Sequence, residues 1–247
     1  MSEFFAEFLG MFVLILLGNG VVANVNLNKT YAHGAGWVVI AMGWGMAVFV
    51  AVFATKDISG GHLNPAVTLG LAFAGLFPWI KVVPFIVAQM AGAILGAFVV
   101  YLYFIDHFRI TRTPIRKNCF CTVPAIRNYR NNFFSETIGT FILVLAVLLI
   151  HHPTLEIAGV ESAKVGLGSL EALPVGLLIL AIGLSLGGTT GYAINPARDL
   201  GPRIVYALLP IPEKESTDWA YAWIPCLGPV TGAGIAALVF FVMKLIA

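Results

Sequence analysis

The sequence predicts an all-α membrane protein in which six transmembrane helices and two half-helices form two inverted repeats. Three observations carry that expectation: six long apolar runs, a duplicated glutamate-bearing motif, and a duplicated asparagine–proline box in stretches too short to span. Of 247 residues, 59% are hydrophobic and 11% charged, against about 25% charged in a soluble domain. Such a chain has too little polar surface to face water on all sides.

The first apolar run, about 3 to 25, opens MSEFFAEFLG. Glu3 and Glu7 stand where a signal peptide would carry positive charge, and no small-residue cleavage site follows, so a retained helix is expected. Further runs at about 36 to 54, 82 to 105, 133 to 151, 167 to 187 and 219 to 246 approach or exceed the ~20 residues that cross ~30 Å of hydrocarbon. The polar stretch 106 to 132 has too few apolar residues for a core. It reads as a solvated loop in which Arg109, Arg112, Arg116, Lys117, Arg127 and Arg130 face a single acid, Asp106. One membrane domain, 1–247, is therefore expected, with a first repeat at about 1–105, a connecting loop at 106–132 and a second repeat at about 133–247. A net charge of +2 gives no reason to expect a nucleic-acid partner. Cys119, Cys121 and Cys226 lack the spacing of a metal site or a disulfide framework. No metal, no cofactor and no enzymatic nucleophile–base pair is expected.

The repeat fixes how the spans are ordered. FFAEFLGMF at 4–12 is answered by FFSETIGTF at 133–141, keeping Glu7 against Glu136. NPAVTLG at 64–70 is answered by NPARDLG at 195–201, with five of seven positions identical. The intervals agree, 57 residues from Glu7 to Asn64 and 59 from Glu136 to Asn195. Each copy holds three spans, an odd number, so the second enters the membrane from the opposite side and the repeats are inverted.

After each box lies an apolar stretch, Pro65 to about Leu76 and Pro196 to about Leu208, long enough for only ~18 to 20 Å of helix. Asparagine caps a helix start and proline suits its first turn, so both half-helices begin at the boxes. Inversion points their N-termini at each other near the midplane. The non-helical backbone before each box must line a water-filled cavity, since lipid would not tolerate it. Along that wall the carbonyls of Gly60, Gly61, His62 and Leu63, and of Gly191, Tyr192, Ala193 and Ile194, are expected to form a ladder of acceptors. Asn64 and Asn195 can turn amide N–H donors to the lumen while their oxygens hold the caps. Arg198, three residues after Asn195, shares the face that Asn195 uses, and its counterpart in the first repeat is Val67. It places one fixed cation at a narrow point of the cavity. Glu7 and Glu136 are intramembrane acids with two readings, a coupling-ion site or acceptors for the unwound backbone. Trp44 on its own reads as an interfacial anchor.

Two Asn-Pro-Ala boxes (Asn64, Pro65, Ala66 and Asn195, Pro196, Ala197), inside inverted repeats that each open with a glutamate-bearing helix, resemble the aquaporin superfamily over nearly the whole chain. The segment GYAINPARDLGPR, with Asp199 and Arg203, resembles its bacterial glycerol-facilitator branch, as do SGGHLNPAVT and Pro225; Cys226 departs from that pattern. The resemblance implies the aquaporin fold and a passive channel for glycerol, water and other small neutral solutes that excludes ions and protons. It implies a selectivity filter of Trp44, Gly183, Tyr192 and Arg198, with the glycine leaving room for a second aromatic ring. It gives Glu7 and Glu136 the structural role. It also implies a homotetramer with one pore per subunit, in the lipid bilayer of the cell membrane, both termini cytoplasmic. The alternatives are a channel used mainly for water or for neutral weak acids such as lactic acid, and, further off, an ion-coupled secondary transporter.

Overall fold

A computed structural model describes the chain except for residues 113, 151–153, 158, 159, 165 and 247; for 114, 154–157 and 160–164 it describes the backbone alone. Among the described residues six helices are long and apolar enough to cross a membrane, two of them counted with the 3-10 turn that leads into them. They are α1 (Glu3–Asn26), α2 (Trp37–Ser59), α4 (Val82–Tyr103), α6 (Tyr129–Leu149), α7 (Leu173–Leu186) and α9 (Trp223–Ile246), with α3 (Pro65–Phe73) and α8 (Pro196–Leu208) as half-helices. A one-turn extension of 3-10 helix precedes α4 and another precedes α7.

Several boundaries differ from those expected, each for a local reason. Helix α3 stops at Phe73, short of Leu76, because Gly75 turns into the left-handed region at φ 72° and the N–H of Leu76 closes back on Leu71 O at 2.9 Å. Helix α6 starts at Tyr129, four residues early, because the Asn128 side chain caps it by accepting from Asn131 N. Helix α2 runs on to Ser59 and ends at Gly60, whose φ of 87° lets the chain turn back towards the midplane. The fold is helical as expected, with one short addition: β1 (Thr154–Ile157) and β2 (Val160–Lys164) pair antiparallel between α6 and α7.

The central stretch is not the solvated loop that its charge suggests. It contains α5 (Ile105–Ile110) and a 3-10 turn (Pro114–Cys119), and Phe108, Cys119, Phe120 and Cys121 are fully buried. Asn19 of α1 donates to Phe120 O at 3.2 Å, and the Phe120 ring packs on Phe108 and on Tyr206 of α8. Arg116 and Lys117 are buried too, donating to Glu213 O and Ser216 O. Their cations satisfy backbone carbonyls of the loop before α9, which is why so basic a segment folds inward.

Helix packing repeats itself when the two halves are exchanged. Helix α1 packs on α2 and α4 as α6 packs on α7 and α9; α4 meets α8 as α9 meets α3; and α2 meets α7 across the junction. That invariance is the signature of a two-fold relation between the repeats. It reaches single glycines. A Cβ on Gly92 would lie 2.2 Å from Phe8 O, and one on Gly232 would lie 2.3 Å from Thr137 O. Only glycine lets α4 approach α1, and α9 approach α6, this closely.

Candidate functional site: a passage where the half-helices meet

Each box is held by a buried glutamate. The Glu7 carboxylate accepts from His62 N at 3.0 Å, Leu63 N at 2.8 Å, Ser59 Oγ at 2.6 Å and Gln89 Nε2 at 2.7 Å. Glu136 accepts from Ala193 N at 3.0 Å, Ile194 N at 2.8 Å and Thr190 Oγ1 at 2.6 Å. Re-entrant backbone has no helical partner for these N–H groups, and a buried orphan donor costs about 1–3 kcal/mol, so carboxylates placed one span away keep the loops folded. Leu63, Tyr192 and Ile194 sit at positive φ (48°, 36° and 43°) without being glycine, a strained conformation that only tight surroundings maintain.

The asparagines then lock the two loops to each other. Asn64 Oδ1 caps α3 by accepting from Ala66 N, and Asn195 Oδ1 caps α8 by accepting from Ala197 N and Arg198 N. One amide N–H of each crosses the junction: Asn64 Nδ2 donates to Ile194 O, and Asn195 Nδ2 to Leu63 O, both at 2.8 Å. The Leu63 and Ile194 carbonyls are thus rungs already engaged by protein, each with one lone pair left. Pro65 and Pro196 occupy the first helical position of α3 and α8, and Ala66 and Ala197 are fully buried behind them.

A cavity of about 130 Å³ follows this junction, lined by Gly60, Gly61, His62, Leu63 and Asn64 from one half, and by Tyr192, Ala193, Ile194, Asn195 and Arg198 from the other. Trp44, Val48, Val67 and Ile179 complete much of the wall. Gly191 is off the lining; its N–H turns to Gly187 O, and a Cβ there would touch Thr122. His62 is held by Thr68 Oγ1 at 3.1 Å and by the rings of Phe77 and Phe85.

Trp44 does not face lipid. It is buried, and the Arg198 guanidinium lies 4.3 Å from the centre of its ring, within cation–π range. Trp44 Nε1, Arg198 Nη1 and the Tyr192 hydroxyl are buried and have no hydrogen-bond partner among the described residues. Gly183 is not on the lining itself, but a Cβ there would stand 2.8 Å from the Tyr192 hydroxyl. The glycine makes the space that the tyrosine ring occupies.

Asp199 and Arg203 lie behind the wall, both fully buried. Arg203 Nε donates to Asp199 Oδ1 at 2.7 Å and its other nitrogens to the carbonyls of Thr122, Thr217 and Asp218. Asp199 Oδ2 takes Thr122 N and its hydroxyl. The pair ties α8 to the central loop and to the loop before α9. Pro225 is buried near the start of α9. Sequence reasoning missed Gln89, Thr122 and Trp37. Gln89 supports Glu7, Thr122 supports Asp199, and Trp37 donates through Nε1 to Gly183 O at 2.8 Å. Nothing in the local sequence marks them, because each acts on a residue in another span.

The family model for the major intrinsic protein matches residues 1–240. The chain is 52% identical to a glycerol uptake facilitator protein of Streptococcus pneumoniae, covering 97% of this chain and 98% of that one. It is 50% identical to a probable glycerol uptake facilitator protein of Thermotoga maritima, again over 97% and 98%. Among solved structures it is similar to the aquaglyceroporin from Plasmodium falciparum, with a TM-score of 0.79 and 35% identity over 96% of this chain and 94% of that one. With paired boxes, crossed asparagines and near-full-length similarity in both sequence and fold, this chain belongs to the major intrinsic protein family.

Proposed function

We propose that this chain is a passive channel for glycerol and other small uncharged solutes, water included, that turns back ions and protons. The observation that carries the reading is that Trp44, Tyr192 and Arg198 all line the one cavity, with the Arg198 guanidinium 4.3 Å from the centre of the Trp44 ring. Two aromatic rings offer an apolar wall to a polyol's carbon skeleton, while the guanidinium offers its hydroxyls a fixed, charge-assisted donor. Cations meet that same charge, then the positive ends of two half-helices at the midplane. A water chain passing the asparagine amides must orient its oxygens towards them, which breaks the polarity that proton hopping needs.

The glutamates speak against ion coupling. Glu7 accepts four hydrogen bonds and Glu136 three, which leaves little acceptor capacity for a coupling ion. Light scattering from proteoliposomes tests the channel directly. Vesicles carrying the protein should re-swell in a glycerol gradient far faster than empty vesicles, with no proton leak that scales with protein. Equal re-swelling rates overturn the glycerol reading.

The same reading assigns a homotetramer in the cell membrane with both termini cytoplasmic. The basic central stretch then lies outside, against the positive-inside tendency. Four of its six cations have protein partners: Arg109 meets Asp106, Arg127 meets Asp218, and Arg116 and Lys117 meet carbonyls. Charge spent in this way is a weak topological signal. Cys119 and Cys121 are poor reporters of sidedness, because both are buried and burial pushes their thiols up, Cys121 to about 12. Tyr31 is fully exposed in the α1–α2 loop, on the same side as Thr111, which Asn28 N meets at 2.9 Å. A Tyr31→Cys variant should be labelled by an impermeant maleimide on intact cells. Labelling only after permeabilisation reverses the assignment.

A further inference from the structure

We infer that Trp37, at the first turn of α2, is a positioning residue for the solute filter: it holds the Tyr192 ring from behind and so sets the largest solute that passes. The inference rests on the filter reading given above. Tyr192 lies in a slot whose floor is made by Gly183 and Gly187 and whose back wall is Trp37. A Cβ on Gly187 would stand 2.5 Å from Tyr192 Cδ1 and 2.6 Å from Trp37 Cζ2. The two rings meet edge to face, 5.7 Å between centres and 74° between planes.

No hydrogen bond ties the tip of Tyr192, since its hydroxyl has no partner among the described residues. Its flanking backbone is pinned, Gly191 N on Gly187 O and Ala193 N on Glu136, but those bonds do not set the side-chain torsions of the ring. Packing fixes where the ring stands, and Trp37 is the aromatic side chain in that packing. Trp37 is itself anchored through Nε1 to Gly183 O at 2.8 Å. That bond joins the first turn of α2 to the last turn of α7, at a helix start where Gly36 supplies no side-chain cap. One indole therefore fixes both the floor and the back of the slot.

Removing the indole opens space behind Tyr192, into which the ring retreats away from Arg198. The test uses full-length protein in vesicles and a graded set of probes: water, urea, glycerol, erythritol and ribitol. In Trp37→Phe, erythritol and ribitol permeability relative to water should rise about tenfold, the discrimination that a methylene-sized change in fit carries. In a Tyr192→Ala background, adding Trp37→Phe should change the ratio no further. If Trp37→Phe does not fold, Trp37→Tyr gives the same reading with a smaller rise. A size profile identical to that of the unmodified channel overturns the inference, as does an undiminished Trp37 effect in the Tyr192→Ala background. Should the unmodified channel pass no polyol, the glycerol reading falls by itself, and the Trp37 ratio is then read between water and urea.

Discussion

At the first box Glu7 receives the N–H groups of His62 and Leu63 at 3.0 and 2.8 Å; at the second, Glu136 receives those of Ala193 and Ile194 at the same two distances. The crossed asparagine bonds match as well, 2.8 Å in each direction. One turn further on, the likeness ends. The first residue after the box is Val67 in one half and Arg198 in the other, and the second is Thr68 against Asp199. Thr68 belongs to a hydrogen-bonded network with His62 and Gln89, whereas Asp199 belongs to a buried ion pair that gathers two loops. What is shared holds the backbone at the midplane. What differs is the part to which the proposed filter assigns selectivity, and it sits on one side only.

The largest expected effect tests the shared part. Glu7→Ala and Glu136→Ala each strand at least two buried backbone donors, at about 1–3 kcal/mol apiece. Both should lose folded protein in detergent, read as the midpoint of thermal unfolding by size-exclusion chromatography. Similar losses would support the two-fold scaffold. A clearly milder loss in one half would show that its other donors, Gln89 or Thr190, find new partners there.

A smaller effect should come from making the second box resemble the first. Arg198→Val removes a charge-assisted donor worth about 1.5–3 kcal/mol, so glycerol flux in vesicles should fall roughly tenfold or more while cation exclusion weakens. Val67→Ala, at the matching position, should leave both nearly unchanged. Equal responses at the two positions would break the proposed division between scaffold and filter.

The smallest effect concerns how the half-helices end. Helix α3 closes on the Gly75 turn, whereas α8 ends under Lys214, whose Nζ donates to Tyr206 O, Ala207 O and Leu209 O at 2.8 to 3.1 Å. Lys214→Met should cost about 1 kcal/mol of stability through lost C-terminal capping and lower the unfolding midpoint, with solute passage unchanged. A changed solute profile would instead give Lys214 a place in the filter.

The features that could be read from sequence are those carried by a local pattern. Long apolar runs locate the spans, and the repeated Asn-Pro-Ala boxes locate the half-helices, because each asparagine caps the helix that starts beside it. The central stretch was misjudged for the opposite reason. Arg116 and Lys117 look solvated until loop 213–216 supplies their acceptors, and a backbone carbonyl leaves no trace in composition. Phe120 packs on Phe108 and on Tyr206 of α8, the latter far along the chain. Trp37 looked like any aromatic at a helix start, since its acceptor lies 146 residues along the chain. The turn at Gly75 could have been seen, as glycine just past a periodic run is a common helix stop.

The crossed bonds between Asn64 and Ile194, and between Asn195 and Leu63, bear on how the molecule is made. When the ribosome has delivered only the first repeat, that repeat holds an amide and a carbonyl whose partners have not yet been synthesised, in surroundings where water is scarce. The first re-entrant loop therefore cannot reach its final form until the second has been inserted, and neither box matures ahead of the other. Quality control in the membrane has a plain signal to read, an unclosed polar seam at the bilayer centre. By the same reciprocity, two identical chains of half this length, inserted in opposite directions, would trade these bonds just as the two halves do.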